Sequence, residues 1–293
     1  MVCRVVDGKR YAKILLEDIK RASQRFFAEY KRKPKLNVIF VGNNESSNIY
    51  VRNKKKRAEE VGVLVEVNHF EKEISQELVV DCIESLNLDS AVDGIIVQLP
   101  VPPKINPRIL LDTVMPQKDV DGFSTYNSGL MLTGQDCFLP CTPQGVLLLI
   151  KKILGNDISG KKVGMVGRSL VVGMPLSILL IKEGCTVTVL HSQSLNIEAE
   201  CKLVDILISA TGSPSLIKEC CVKTGAFVID VGISRVDGSI VGDVDFQSVK
   251  NIASYITPVP GGVGQMTVAS LMLNTIKAAF AHKGTDLDLD FDV

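Results

Sequence analysis

Short apolar runs alternate with segments of helical periodicity along most of the chain. In the first half the apolar positions predict helices over residues 11–30, 47–62 and 76–86, and strands over residues 36–41, 63–67 and 94–99. Gly62 stands where the second helix is expected to end, because glycine readily takes the left-handed backbone of a helix C-terminus. Strands that alternate with helices in this way predict a parallel sheet.

A second α/β series begins near Lys162. The pattern predicts strands over residues 163–166, 186–190, 204–209 and 226–231, and helices over residues 176–181 and 266–281. Small or polar residues follow each of these strands, as expected where parallel strands end at a ligand crevice. The strands are apolar on both faces, which is typical of a sheet covered on both sides. The chain is therefore predicted to be an α/β protein with two α/β domains.

The boundary between the two series falls at residues 141–160. Thr142 followed by Pro143 is typical of a helix N-cap with proline in the first helical position. We expect a helix over residues 145–154 to link the domains. After residue 231, the glycines indicate short strands and turns, and the acidic and apolar residues of the tail are expected to fray.

The turn after the first strand of the second series is rich in glycine. It contains Gly167, Arg168, Ser169 and Gly173, and a helix follows. Glycine lets backbone amides approach an anion, and a helix N-terminus favours a phosphate, so a dinucleotide would bind here. The spacing differs from the common G-x-G-x-x-G pattern, and an ordinary tight turn between strand and helix remains an alternative.

Composition excludes several classes of protein. The 293 residues are 46% hydrophobic, which is enough for two domains with cores of their own. The formal net charge is zero, so nothing draws the whole chain to nucleic acid or to an anionic membrane. No apolar run approaches a membrane span, and the first residues lack the apolar core of a secretory signal. The eight cysteines are scattered without zinc spacing, which favours reduced thiols in a cytoplasmic protein with no metal.

Four further segments carry candidate chemistry. Tyr50 and Lys54 share one helix face, where the tyrosine ring can stack on a flat aromatic ligand and the lysine ammonium can face its reacting atom. Lys54 is also the first residue of a basic run, and such runs are typical of a solvated helix face. Gln98 ends a buried strand, where it can fix a lysine or cap local backbone. Asp121 precedes a glycine, which favours a turn, but it can also accept hydrogen bonds from an amino-pyrimidine. The loop over residues 258–264 is rich in glycine and allows close approach of a ligand.

Together these segments resemble a known family. The motifs occur in this order along the chain: Ser47-x-x-Tyr50-Val51-x-x-Lys54, Val97-Gln98-Leu99-Pro100, Lys118-Asp119-Val120-Asp121-Gly122, Pro140-Cys141-Thr142-Pro143, Gly167-Arg168-Ser169-x-x-Val172-Gly173-x-Pro175, His191-Ser192, Ala210-Thr211-Gly212, Gly242-Asp243-Val244, and Thr257-Pro258-Val259-Pro260-Gly261-Gly262-Val263-Gly264-x-Met266-Thr267. Over residues 1–282 the chain resembles the bifunctional methylenetetrahydrofolate dehydrogenase/methenyltetrahydrofolate cyclohydrolase family.

The resemblance implies a fold and an assembly. Residues 1–145, with the last helix over residues 266–282, would form a folate-binding catalytic domain. Residues 146–265 would form a Rossmann-type NADP-binding domain, with the active site in the cleft between the domains, and residues 283–293 a flexible tail. The expected assembly is a cytoplasmic homodimer that acts on a small folate substrate.

The resemblance also implies the roles of single residues. Lys54 would be the catalytic lysine, Gln98 its hydrogen-bond partner and Tyr50 the ring that stacks on the folate. Folate binding would further involve Asp121, Pro260 and Gly262. The residues expected to hold the cofactor are Gly167, Arg168, Ser169, Gly173, Ser192, Thr211, Gly212 and Ile233.

The second strand of the C-terminal series predicts NADP rather than NAD. NAD-binding sites of this type usually place a carboxylate at the end of that strand. Here the strand ends in His191-Ser192, and no carboxylate follows until Glu198. Ser192 can donate to a 2′-phosphate and Arg168 can pair with it. The family often has a basic residue where this chain has Gln193, so some use of NAD is expected.

Two other functions stay open at this point. The chain could be a Rossmann dehydrogenase for another small substrate, of the shikimate or amino-acid type. It could also be a non-catalytic protein that binds RNA through residues 52–57, although zero net charge and the lack of interleaved aromatic residues weigh against this.

Overall fold

The computed structural model describes residues 2–287 of the chain. Its strands are β1 (Arg4–Val5), β2 (Lys35–Val41), β3 (Leu64–Phe70), β4 (Gly94–Val97), β5 (Lys162–Val166), β6 (Thr186–Leu190), β7 (Ile206–Ser209), β8 (Phe227–Asp230), β9 (Ser234–Val236), β10 (Ser239–Val241) and β11 (Tyr255–Ile256). Its helices are α1 (Gly8–Tyr30), α2 (Glu45–Val61), α3 (Gln76–Leu88), α4 (Pro107–Thr113), α5 (Thr125–Thr133), α6 (Cys141–Leu154), α7 (Gly173–Lys182), α8 (Ile197–Cys201), α9 (Phe246–Val249) and α10 (Val263–Ala281). The predicted flexible tail lies outside the described residues from position 288 onward.

The chain divides into two compact α/β units. The six-stranded unit contains Thr142–Thr267 together with residues 2–13. The three-stranded unit contains Ile14–Cys141 together with residues 268–287. The prediction of an α/β fold with two α/β domains is confirmed.

The sheet of the six-stranded unit has the order β1-β11-β8-β7-β5-β6, and all of its pairs are parallel. Strand β5 lies between β6 and β7, which follow it in the chain, so the order of strands reverses at β5. In doubly wound sheets, ligands bind beyond the carboxyl ends of the strands at such a reversal. The ends of β5, β6 and β7 are therefore the place to look for a ligand site.

The core of this unit packs against its sheet. Inward-facing side chains of the strands, including Val166, Leu207 and Val228, are buried with residues from the connecting segments, such as Val204 and Val249. A separate antiparallel hairpin joins β9 to β10. It confirms the short strands and turns predicted from the glycines after residue 231.

The three-stranded unit has the parallel order β3-β2-β4. An isolated parallel bridge between Ile95 and Asp119 extends the sheet beyond β4. A buried residue of helix α10 fixes this helix to the unit. The side-chain amide of Asn274 donates to the carbonyl oxygens of Val120 at 2.9 Å and Leu139 at 3.0 Å. The segment at residues 118–121 is thus held between β4 and α10.

Lys118 is buried for a structural reason. Its Nζ donates to the carbonyl oxygens of Leu86 at 2.9 Å and Asp89 at 2.7 Å, at the C-terminal end of α3. The carbonyls at a helix end lack partners within the helix, and a cation there also complements the helix dipole. Burial lowers the pKa of the Lys118 ammonium, while Asp89 and Asp93 raise it.

The start of α6 differs from the prediction. The helix begins at Cys141, so Thr142 lies inside its first turn and is not the N-cap. The Thr142 hydroxyl instead lies 3.0 Å from the hydroxyl of Thr267. A tertiary hydrogen bond has replaced the local one that the sequence pattern indicates.

Candidate functional site

Helix α2 carries Tyr50 and Lys54. The helix starts directly after the turn that follows β2, where the Asn44 side chain accepts the backbone N–H of Ser47 at 3.0 Å. Lys54 is only 9% exposed, whereas the adjoining Lys55 is exposed. The basic run is therefore not a uniformly solvated face, since Lys54 turns into the unit.

Gln98 follows β4 and meets Lys54. The Lys54 Nζ donates to Gln98 Oε1 at 3.0 Å, and Gln98 Nε2 donates to the carbonyl oxygen of Leu99 at 2.8 Å. The backbone N–H of Gln98 donates to Ile39 at 2.8 Å, which fixes the residue to β2. Because both ends of the amide are engaged, Gln98 presents a fixed acceptor to the lysine.

Asp119 and Asp121 have different environments although they are two positions apart. Asp119 is buried and accepts the backbone N–H groups of Phe123 at 3.2 Å and Ser124 at 2.8 Å, and the amide of Asn127 at 2.9 Å. These bonds make Asp119 the anchor of the turn that leads into α5. Asp121 is half-buried and has a different set of neighbours.

Asp121 interacts with Lys54 and with the thiol of Cys141. Burial raises the pKa of the Asp121 carboxyl above its ordinary value, while the charge of Lys54 and the hydrogen bond from Cys141 lower it. Burial, followed by the charge of Asp121, raises the pKa of Cys141 well above its usual range. Cys141 therefore remains a neutral thiol, and its single S–H proton is shared between the Asp121 carboxyl and the Val120 carbonyl oxygen, which lies 3.4 Å from Sγ.

Burial also raises the pKa of the Tyr50 phenol, which stays neutral. The residue is 37% exposed, so its side chain is accessible to solvent or to a ligand. Tyr50, Lys54, Gln98 and Asp121 follow three adjacent parallel segments of one sheet. The three-stranded unit thus gathers these predicted residues around its carboxyl edge. Cys141 is a member of this group to which the sequence assigned no role.

In the six-stranded unit, the turn between β5 and α7 is tight because of two glycines. Gly167 has a φ of 116°, and a Cβ atom there would lie 2.4 Å from the carbonyl oxygen of Ala210. A Cβ atom on Gly173, the first residue of α7, would lie 2.1 Å from the carbonyl oxygen of Gly167. Side chains at either position would fill a cradle of backbone at a helix N-terminus, which fits a dinucleotide phosphate.

The other residues of this turn are held by local bonds. Ser169 Oγ accepts the backbone N–H groups of Val172 at 3.2 Å and Gly173 at 3.4 Å. The parallel pairing of β5 with β6 brings the neighbouring turn alongside, with the N–H of Gly167 bonded to Leu190 at 2.8 Å. Arg168 Nη2 then donates to Gln193 Oε1 at 3.1 Å across the two turns. Ser192, the residue before Gln193, is exposed.

Asp243 organises the turn after β7. It is fully buried, and its Oδ2 accepts the Ser209 hydroxyl at 2.9 Å and both the backbone N–H and the hydroxyl of Thr211, at 2.6 Å and 2.9 Å. Its Oδ1 has no hydrogen-bond partner and lies 2.0 Å from where a Cβ atom of Gly232 would be. Asp243 thus fixes Thr211, next to Gly212, and requires glycine at position 232.

Asp230 fixes the turn after β8 in the same way. It accepts the backbone N–H groups of Gly232 at 3.0 Å, Asp243 at 3.0 Å and Val244 at 2.9 Å. Burial raises its pKa to about 6 against the lowering effect of these bonds. Ile233 follows this turn and is exposed. Neither aspartate was assigned a role from the sequence, although a charge that ends a fully apolar strand, as Asp230 does, is a usable signal.

Pro260 and Gly262 follow β11 in the six-stranded unit. Pro260 is exposed and Gly262 is buried. A Cβ atom on Gly8, at the start of α1, would lie 2.0 Å from the carbonyl oxygen of Gly262. This loop therefore packs against the first turn of α1 without room for a side chain.

Models of two protein domains match this chain. The catalytic domain of tetrahydrofolate dehydrogenase/cyclohydrolase matches residues 6–121, and the NAD(P)-binding domain of the same enzyme matches residues 140–283. The chain belongs to the tetrahydrofolate dehydrogenase/cyclohydrolase family. The resemblance inferred from the sequence motifs is confirmed, and the C-terminal series is the NAD(P)-binding domain.

Individual relatives cover nearly the whole chain. The bifunctional protein FolD of Aquifex aeolicus is 47% identical over 95% of this chain and 97% of its own length. The crystal structure of FolD from Campylobacter jejuni has a TM-score of 0.92 and 40% identity over 94% of this chain and 98% of that one. The Trypanosoma brucei enzyme, solved with NADP cofactor and an inhibitor, has a TM-score of 0.90 and 35% identity over 96% of this chain and 98% of that one.

Membership of this family decides against another Rossmann dehydrogenase and against an RNA-binding protein. Among residues 2–287, no helix is long and apolar enough to cross a membrane. In the same part of the chain, no group of three or more histidine, cysteine or acidic residues is arranged to hold a metal ion.

Proposed function

We propose that the chain oxidises 5,10-methylenetetrahydrofolate to 5,10-methenyltetrahydrofolate with NADP and then hydrolyses the product to 10-formyltetrahydrofolate. The chain is thus an NADP-dependent dehydrogenase and a cyclohydrolase of one-carbon metabolism. Family membership over both units supports the pair of activities. The observation that carries the assignment of the site is the buried Lys54, held 3.0 Å from Gln98 beside Asp121.

In the first reaction the chain binds and orients its ligands. When bound, NADP would supply the acceptor for the hydride that leaves the methylene carbon. The neutral Tyr50 ring stacks on the folate and holds it in place, since an exposed aromatic face suits a flat heterocycle. The nitrogen lone pair of the substrate stabilises the cation that forms, so the protein contributes mainly alignment.

In the second reaction Lys54 moves a proton. Water adds to the methenyl carbon and loses a proton, and the adduct opens when its bond to one ring nitrogen breaks. Within the site, the Nζ atom of Lys54 relays this proton. Gln98 is a positioning residue here, because its fixed amide oxygen holds the Nζ in one place without neutralising the charge.

Asp121 anchors the folate. A carboxylate accepts two hydrogen bonds from the edge of an amino-pyrimidine, and such charge-assisted bonds are the stronger kind. Cys141 shares its single S–H between this carboxylate and the Val120 carbonyl, and so helps to hold the carboxylate in place. Pro260 and Gly262 contribute to folate binding through the loop after β11.

The turns after β5, β6, β7 and β8 hold NADP. The cradle formed with Gly167, Ser169 and Gly173 receives the phosphates that join the two nucleotides. Arg168 and Ser192 bind the 2′-phosphate. Thr211, Gly212 and Ile233 complete the site from the neighbouring strands.

The domain limits and the assembly belong to the same proposal. The folate-binding domain comprises residues 1–145 with the last helix, except that residues 2–13 pack in the six-stranded unit. The NADP-binding domain comprises residues 146–265. The enzyme works as a homodimer in the cytoplasm, a compartment that suits buried reduced thiols such as Cys201. Light scattering that gives a monomer mass, or a tagged chain that leaves the cytoplasmic fraction, would contradict these two points.

The Lys54→Met variant tests the site. General acid–base catalysis contributes about 10²–10⁴-fold, so we expect methenyl hydrolysis to fall by at least about a hundredfold while hydride transfer persists. Lys55→Met is the matched control, because Lys55 is the exposed neighbour on the same helix. It should keep both activities. Hydrolysis near the wild-type rate in Lys54→Met would reject the assignment.

A further inference from the structure

Gln193 lies in the turn after β6 and has no part in the two reactions described above. Its Oε1 accepts Arg168 Nη2 at 3.1 Å. Within residues 2–287 this is the one hydrogen bond of the Arg168 side chain to protein. A guanidinium has five N–H donors, so most of them remain available to an anion. Both side chains are exposed, so a ligand can reach them.

The backbone under Gln193 is fixed by its own turn. The N–H of His191 donates to Ser194 Oγ at 3.0 Å, and the N–H of Ser194 donates to the His191 carbonyl at 2.8 Å. The N–H of Gln193 itself donates to His191 Nδ1 at 3.2 Å. A side chain on such a rigid turn can restrict the long and otherwise mobile Arg168, which reduces the entropy lost on binding.

The charges around this pair favour an anion. Residues 184–197 contain no aspartate or glutamate. The next carboxylate, Glu198, pairs with Lys202 at 3.1 Å on α8. Gln193 is neutral, so it orients Arg168 and leaves its positive charge uncompensated. A carboxylate at the same position would form an ion pair with Arg168 and would repel a phosphate.

We propose that Gln193 determines the cofactor preference of this enzyme by holding Arg168 in place for the 2′-phosphate of NADP. Gln193 acts through Arg168 and is therefore a positioning residue. The proposal rests on the NADP-dependent function above. It predicts a dependence on the residue at position 193 that concerns the 2′-phosphate alone.

Binding of two nucleotide fragments separates this effect from catalysis. We would measure the binding affinities of 2′,5′-ADP and 5′-AMP by calorimetry, because the two nucleotides differ only in the 2′-phosphate. In Gln193→Glu, loss of a charge-assisted bond should weaken the binding of 2′,5′-ADP by about 10–100-fold. The binding of 5′-AMP should weaken by no more than about threefold. Gln193→Met, which keeps the length and removes the amide, should weaken 2′,5′-ADP by about 3–10-fold.

Gln247→Glu is the matched control. Gln247 is an exposed glutamine of the same unit that accepts a hydrogen bond from Lys250, on a helix outside the proposed site. The same substitution there should leave both affinities unchanged. An equal loss of 2′,5′-ADP in this control would show a general charge effect and overturn the proposal.

A double-mutant cycle with Arg168→Ala tests whether Gln193 acts through the arginine. In the Arg168→Ala background, Gln193→Met should have no further effect on 2′,5′-ADP. Additive losses, or an unchanged ratio of the two affinities in Gln193→Glu, would overturn the role of Gln193. If 2′,5′-ADP binds the wild type no more tightly than 5′-AMP, the NADP assignment itself fails, so the two failures are distinguishable.

Discussion

Asp119 and Asp121 carry the same charge, but one holds the fold and the other faces the proposed substrate site. Replacing Asp119 leaves three donors without their acceptor, whereas replacing Asp121 removes a carboxylate whose burial is unfavourable. We expect Asp121→Ala to weaken folate binding by about 10–100-fold with little change in NADP binding or stability. Calorimetric titration of each ligand checks this.

Asp119→Ala is the comparison for that experiment. It should lower the free energy of unfolding by about 2–4 kcal/mol, because buried donors lose their partner. If Asp121→Ala instead weakened both ligands equally and lowered the melting temperature, Asp121 would be a structural turn residue and the folate role would be wrong.

Asp230 gives a pH dependence with a defined sign. Its folded-state pKa of about 6 lies above the ordinary value of 3.8, so between these two values the folded protein retains a proton that the unfolded chain has released. This contribution to stability is present below the lower value and is lost as the pH rises through the upper one. A difference of about two pKa units corresponds to about 3 kcal/mol.

The Asp230→Asn variant isolates this contribution, because its amide cannot ionise. Urea denaturation from about pH 4 to about pH 7 should show the wild type losing stability relative to the variant by up to about 3 kcal/mol. A difference between the two proteins that stays constant over this range would mean that Asp230 is ionised throughout.

At the scale of elements, the turn between β5 and α7 depends on glycine at position 173. A Cβ atom there would meet the carbonyl oxygen of Gly167 at 2.1 Å, and backbone cannot move aside cheaply. In Gly173→Ala we expect NADP binding to weaken by at least about tenfold, since about 1.4 kcal/mol of distortion suffices. Titration of NADP measures this, and folate binding by the same variant should change little.

Gly129→Ala is the control for that substitution. Gly129 lies in the middle of α5, is exposed and has no atom within 4 Å of the position of an added Cβ. Alanine there should raise the free energy of unfolding by about 0.5–1 kcal/mol, because glycine is a poor helix former. Undiminished NADP binding in Gly173→Ala would show that the turn tolerates a side chain and is not a close-fitting cradle.

The longer elements could be predicted from the sequence, and the shortest could not. Helices such as α1 and α3 and strands such as β2 show the periodicity that defines them. Strands β1 and β11 have two residues each, too few for a pattern, and they exist because each pairs with a strand already in the sheet. Helices α4 and α5 were also not predicted, since they are short and rest on side-chain caps at Asn106 and Ser124.

The predicted site residues illustrate the same division. Tyr50 and Lys54 come together through helical spacing, which the sequence contains. Gln98 and Asp121 lie far from them in the chain. The parallel pairing of β2 with β4, and the parallel bridge from Ile95 of β4 to Asp119, bring them to the same edge. The supporting roles of Cys141 and Asp243 depend on tertiary hydrogen bonds, and no local pattern specifies these. For Asp230 the sequence offers only the signal of a charge at the end of an apolar strand.

At the scale of the whole molecule, each of the two units carries one set of functional residues. The three-stranded unit holds the lysine proposed to move protons and the carboxylate proposed to recognise folate. The six-stranded unit holds the glycine-rich turn and the arginine proposed to recognise the cofactor. A single chain with both sets should couple oxidation of the folate to its hydrolysis.

The most direct test of this account is a coupled assay of the wild-type protein with 5,10-methylenetetrahydrofolate and NADP. We expect NADPH and 10-formyltetrahydrofolate to form in equal amounts, with the methenyl intermediate present only transiently, and a lower specificity constant when NAD replaces NADP. Absence of NADP reduction, or methenyltetrahydrofolate that accumulates in step with NADPH and is hydrolysed no faster than in buffer alone, would contradict the account.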